Sequence, residues 1–282
     1  MKFGVALART RPELFAEAAV AADELGFESV WLSDHLVFPM AMAGSPHDPA
    51  AGEAAHPPVP PTTPVFDVGA MLTHLAARTT RIRLGTFVYL LAIRHPFVAA
   101  RTFATADVLS DGRIEVGVGA GWLRSEWTAA GLDPAGRGAR LDEAIEVCRR
   151  LWSEPQVAHD GDHWRWDAVA FEPKPVQARL PVLVGGESSA ALRRAARLGD
   201  GWIGMDHGPA DAAERVRQLR SAERAVARTG PPCSVTIGGT VDALEDLAAY
   251  ESAGVDRLVV APWSRSRDTV AALETFAARF IL

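Results

Sequence analysis

The sequence predicts an α/β protein built as a (β/α)8 TIM barrel, with a long proline-rich insertion after strand 2 and a short hairpin insertion before strand 5. Three observations lead there. Short β-branched or apolar runs alternate with longer Ala/Leu/Glu/Arg segments at helical spacing, which is the pattern of βα units. There are eight such runs, about one per 35 residues, as a barrel of this kind requires. Several are apolar on consecutive residues, as strands covered on both faces must be. A chain of 282 residues fits one barrel of roughly 250 residues, so 1–282 is read as a single domain. A doubly wound open sheet is the alternative arrangement of the same units.

The strand candidates are Phe3–Leu7, Ser29–Ser33, Ile82–Val88, Arg113–Val118, Pro181–Val184, Gly201–Met205, Ser234–Ile237 and Arg257–Ala261. After the first, Pro12 opens a helix whose apolar stripe is Leu14, Phe15, Ala18, Ala22 and Leu25, and Gly26 stops it. After the second, residues 36–64 carry a run of prolines from Pro39 to Pro64 with Gly44 and Gly52, a composition incompatible with a helix or a central strand. Such a loop would lie over the barrel's mouth as a lid, or run as a disordered surface excursion. Leu141, Ile145, Cys148 and Leu151/Trp152 stripe a helix after the fourth strand. His159 to Gln177, with Trp164, Trp166 and Phe171 in rough alternation before Pro173 and Pro175, reads as the inserted hairpin. Ala191–Leu198 ends before Gly199, and Leu244–Tyr250 before Gly254.

A net charge of -6 argues against nucleic acid as the main partner, since phosphate binding draws on clustered Lys and Arg. Cys148 and Cys233 show neither a disulfide framework nor zinc-ligand spacing, so no metal is expected. With no apolar run long enough to span a membrane and no secretory leader, the expected location is the cytoplasm.

Chemistry in a barrel sits at the C-terminal strand ends. The second strand leads into Ser33-Asp34-His35: an Asp-His pair there could place an imidazole at the mouth to hold or move a proton, or Asp34 could cap the loop with His35 packed beneath. Gly85 inside the third strand implies a bulge, the close approach of something flat, or a tight fit to a helix. The fourth strand runs into Gly117-Val118-Gly119-Ala120-Gly121-Trp122. Trp122 stands where a dinucleotide fingerprint needs its third glycine, which leaves a bare backbone suited to a planar ligand. The fifth ends in Gly185-Gly186-Glu187-Ser188-Ser189 at a helix start, an anion site, an N-cap, or both.

Together with Leu25-Gly26-Phe27-Glu28-Ser29-Val30-Trp31, Leu84-Gly85-Thr86, His95-Pro96, Asp111-Gly112-Arg113, Glu126, Arg140 with Glu143, Phe171 to Gln177 and Ala195 to Trp202, these motifs resemble the bacterial luciferase-like family. The resemblance runs from about residue 2 to 205; within the family it is nearest to the oxidoreductases that use the deazaflavin coenzyme F420, with FMN-dependent monooxygenases as relatives.

The resemblance implies hydride transfer between F420 and a small organic substrate. It places a bulge at Thr86-Phe87-Val88, with a cis peptide between Phe87 and Val88, under the tricyclic ring, and Gly119-Ala120-Gly121-Trp122 beside it. Gly185, Gly186, Glu187 and Ser188, with Arg140, would hold the cofactor phosphate. His35 would handle the substrate proton, with Asp34 holding the loop and the polar edge of the ring. A homodimer is implied as well. Trp122 replaces a glutamate found in sugar-phosphate dehydrogenases of the family, so their substrate is not expected; Trp122, Phe38, Phe87 and Trp164 suggest an apolar pocket. FMN-dependent monooxygenation and a non-catalytic cofactor-binding role are the alternatives.

Overall fold

The computed structural model describes residues 1–45, 55 and 57–282. Eight parallel strands close the barrel: β1 (Lys2–Ala6), β2 (Ser29–Leu32), β3 (Arg83–Thr86), β4 (Ile114–Val118), β7 (Val182–Gly185), β8 (Gly201–Asp206), β9 (Ser234–Gly238) and β10 (Arg257–Val260), in the order β1-β10-β9-β8-β7-β4-β3-β2. The intervening β5 (Val157–Asp160) and β6 (Arg165–Val169) form a separate antiparallel pair, which is the expected hairpin. The open-sheet alternative is excluded, because β1 pairs with both β2 and β10.

Helices wrap the outside: α1 (Phe15–Glu24), α2 (Val68–Ala76), α3 (Pro96–Leu109), α4 (Arg124–Ala129), α5 (Arg137–Ser153), α6 (Ser189–Leu198), α7 (Pro209–Ala225), α8 (Leu244–Ser252) and α9 (Thr269–Phe280). The stripes read from sequence face the strands: Phe15, Ala18 and Ala22 of α1 and Leu141, Ile145, Cys148 and Leu151 of α5 are buried. Burial pushes the thiols of Cys148 and Cys233 up to about 12, so both behave as small apolar groups. No described helix is long and apolar enough to cross a membrane.

Inside the barrel, Trp31, Leu183, Ile203 and Val259 form a second, smaller core, with Ala6, Phe87 and Val88 partly buried against it. Gly85 is explained here. A Cβ on it would lie 2.5 Å from the Trp31 indole, so the flat group it admits is the protein's own. Below Trp31, at the N-terminal end, Arg257 lies 5.2 Å from the indole and bonds Glu28 and Glu115.

The third strand departs from expectation. Regular pairing stops at Thr86 rather than Val88; the Phe87–Val88 peptide is cis, and pairing resumes where Tyr89 bridges Val118. Thr86 and Tyr89 are buried while Phe87 and Val88 are only partly so, and both of the latter pack against the inner core around Trp31. Of the 36–64 insertion, residues 46–54 and 56, including Pro46, Pro49 and Gly52, lie outside the described residues. The described part forms no helix or strand, consistent with its prolines.

Candidate active site at the barrel mouth

The second strand carries Asp34 and His35 past its C-terminal end, and the two side chains part company. Asp34 is fully buried: it accepts hydrogen bonds from Arg94 Nη1 and Nη2 at 2.7 and 2.9 Å and from the Leu90 N–H at 2.9 Å. Burial pushes its pKa up against the opposing pull of Arg94. Both carboxylate oxygens are engaged in tying the β2 loop to the segment after the β3 bulge. Asp34 therefore anchors the loop, as the resemblance implied.

His35 keeps 15% of its side chain exposed, and its Nδ1 lies 2.8 Å from Oε2 of Glu126, whose side chain is 1% exposed. Glu126 sits in the first turn of α4, which follows the glycine-rich loop of β4. Its Oε1 accepts the backbone N–H groups of Leu36 and of Val37, fixing the root of the insertion. The imidazole packs against Phe38 at 4.4 Å between centroids and edge-on to Trp122 at 5.9 Å.

Beside it, Thr86 donates its hydroxyl hydrogen to the Gly117 carbonyl at 2.7 Å. The bare backbone at Gly117, Gly119 and Gly185 turns out to serve the protein itself. A Cβ on Gly117 would collide with the Thr86 carbonyl oxygen, and one on Gly119 or Gly185 with the Val88 side chain. The glycines make room for the β3 bulge, and it is the bulge that presents a surface to the mouth. Only beyond them does the loop open: Ala120, Gly121 and Trp122 are half-buried, and Gly121 holds φ at 76°, where a side chain would be strained.

After β7, Ser188 caps the ten-residue α6, its Oγ accepting the Ala191 N–H at 3.2 Å. Ser188, Ser189 and Ala190 are exposed, and the first-turn N–H groups of a helix lack intrahelical partners, so this end suits an anion. The Glu187 side chain turns away, to the Met205 N–H at 2.7 Å, His207 Nε2 at 3.0 Å and Arg215 Nε at 3.4 Å. Burial would raise its pKa, but the bonds from His207 and Met205 and the charge of Arg215 outweigh that and hold it below the usual range. Glu187 can thus offer a ligand only its backbone.

Arg140 also has partners within the protein. Its Nε donates to the Ala92 carbonyl at 2.8 Å, and its guanidinium lies 4.2 Å from the centre of the Trp164 ring. Trp164 is itself buried in the hairpin region, and the contacts of Arg140 in the structure are with Ala92 and Trp164.

The structure therefore gathers His35, Phe87, Val88, Ala120 to Trp122, Gly186 and Ser188 at the C-terminal ends of β2, β3, β4 and β7, four consecutive neighbours in the barrel. Sequence reasoning assigned no role to Glu126 or Arg94. Glu126 was visible only as part of a motif, and nothing local pairs it with a histidine 91 positions away.

The comparisons with known proteins place the chain in a family and support its fold. A relative from Mycobacterium tuberculosis, described only as uncharacterised, is 33% identical over 270 residues, 94% of this chain and 93% of its own. An F420-dependent glucose-6-phosphate dehydrogenase of Nakamurella multipartita is 35% identical over 196 residues, 68% of this chain and 52% of the relative. The solved structure of an F420-dependent secondary alcohol dehydrogenase with an F420-acetone adduct superposes with a TM-score of 0.78 at 18% identity, covering 98% of this chain and 97% of that one, a likeness of fold. The luciferase-like monooxygenase model matches residues 2–260, and the chain belongs to that family of oxidoreductases.

Proposed function

We propose that the chain transfers hydride between coenzyme F420 and the carbonyl or alcohol carbon of a small, largely apolar organic substrate. The observation that carries this reading is His35: a partly exposed imidazole at the mouth, held by one ring nitrogen and flanked by the apolar Phe38 and Trp122. Likeness to an F420-dependent dehydrogenase over 68% of the chain supports the choice of cofactor.

The residues present suit a deazaflavin. Phe87 and Val88 give a tricyclic ring an apolar wall, and the exposed start of α6 with Ser188 gives a phosphate its N–H donors. When bound, F420 supplies or accepts a hydride. His35 then moves the matching proton: it takes the hydroxyl hydrogen of an alcohol as the carbon loses hydride, or returns a proton to the carbonyl oxygen in the reverse direction. The Phe38 and Trp122 rings exclude water from that transfer. With Trp122 in place of the acid of the sugar-phosphate enzymes, a sugar phosphate does not fit this reading, and an apolar alcohol, ketone or aldehyde does.

Titration of the purified protein with F420 and with FMN, followed by fluorescence, tests the proposal. The expected result is F420 binding in about the micromolar range, roughly 8 kcal/mol, with weak FMN binding. Tight FMN binding without F420 binding would overturn it in favour of a flavin monooxygenase.

A further inference from the structure

We infer that Glu126 is a positioning residue that locks His35 in the Nδ1–H tautomer, so that Nε2 is the nitrogen presented to the substrate. The inference deepens the reading above, in which His35 moves the substrate proton.

Three histidines pair with carboxylates among the described residues. His159 meets Glu143, and His207 meets Glu187, each through Nε2. His35 alone uses Nδ1, the nitrogen nearer its own backbone, which leaves the outer nitrogen free. The carboxylate that holds it is oriented by donors that cannot reverse. Leu36 and Val37 give their backbone N–H groups to Oε1, so Oε2 is left facing Nδ1 at 2.8 Å. An ionised carboxylate only accepts, and a neutral imidazole carries one N–H. With Glu126 ionised and the imidazole neutral, Nδ1 donates to Oε2 and Nε2 keeps its lone pair.

The other charged groups around the ring do not compete. Asp34, on the same loop, is matched by Arg94, and the rings packed on either side, Phe38 and Trp122, are neutral. In the oxidative direction Nε2 accepts the hydroxyl proton of the substrate as its carbon gives up hydride to the cofactor. The imidazolium that results stays paired with Glu126, and in reverse it returns that proton.

Glu126→Gln is a test with nearly unchanged shape. The two backbone donors keep the amide oxygen at the Oε1 position, so the amide nitrogen falls opposite Nδ1. A donor now faces Nδ1, which must accept, and the proton moves to Nε2. Long-range ¹H–¹⁵N correlation spectra of ¹⁵N-histidine-labelled protein read the tautomer directly, with the His35 signal assigned by its loss in His35→Ala.

The expected result is Nδ1–H in the native protein and Nε2–H in Glu126→Gln, with kcat lowered on the order of 10²-fold and cofactor Kd within about twofold. An Nε2–H tautomer in the native protein, or an unchanged tautomer in the variant, overturns the inference. The spectra need neither cofactor nor substrate, so this result and that of the F420 titration are read separately.

Discussion

At the N-terminal end of the barrel, Arg257 is 6% exposed and bonds both oxygens of Glu28, at 2.7 Å each, and both of Glu115, at 2.9 and 3.0 Å. Arg83 adds a further bond to Glu115 and reaches Gln177 at 3.2 Å. At the C-terminal end, Glu126 is as deeply buried but closes its network on a histidine that keeps one nitrogen unassigned. Trp31 separates the two ends, with Arg257 at 5.2 Å from its ring and Phe87 at 6.3 Å. The lesson is that burial and charge alone do not mark a site. A cluster whose donors and acceptors all face one another supports the fold, while one that leaves a valence open towards solvent-accessible space is equipped for chemistry.

The sharpest way to break that contrast is to remove the open valence. His35→Ala should lower turnover by about 10²- to 10⁴-fold while leaving F420 affinity and unfolding midpoint close to native; steady-state kinetics beside denaturant melts would show it. Near-native turnover would mean that the mouth, like the floor, is a structural cluster.

The next largest effect belongs to the floor. Arg257→Ala removes the charge that faces both carboxylates, leaving Glu115 only Arg83 and Glu28 only Lys2 as ion-pair partners among the described residues, and should cost about 3 kcal/mol of stability, seen in urea unfolding, with turnover per folded molecule unchanged. The pH dependence has a fixed sign. Burial would raise the pKa of Glu28, but Arg257 outweighs it and holds it low. Its contribution is present above the ordinary glutamate range and disappears as pH falls through the depressed value. The native protein should lose stability on acidification through that window, and the variant should lose less.

The smallest effects separate two residues that the sequence had grouped together. Ser188→Ala removes the cap of α6 and should cost about 1 kcal/mol, with a matching loss of cofactor affinity if the phosphate rests there. Arg140→Ala should leave F420 affinity within about twofold, because its guanidinium serves Ala92 and Trp164. Equal losses from both variants would return Arg140 to the phosphate site.

What the sequence determined by itself was whatever rests on local pattern. The apolar runs place the eight barrel strands to within two residues at each end, and the stripes read from sequence fall inside or within one residue of α1, α5, α6 and α8. Ser188 caps α6 where its motif puts it, and the cis Phe87–Val88 peptide lies where the family resemblance implied it. The tertiary structure decided what depends on which residues meet across the barrel. Gly119 and Gly185 are bare because Val88 fills the space they leave, which no motif around either glycine states. Arg140 and Ser188 each lie in a motif, yet the Arg140 guanidinium packs on Trp164 of the hairpin, a contact that neither motif states. Glu126 meets His35 only once β2 and β4 are brought within reach, with β3 between them. Spacing along a chain fixes the period of a helix or strand, but the partner of a buried charge is fixed by the packing that excludes every other partner, and that is a property of the closed barrel.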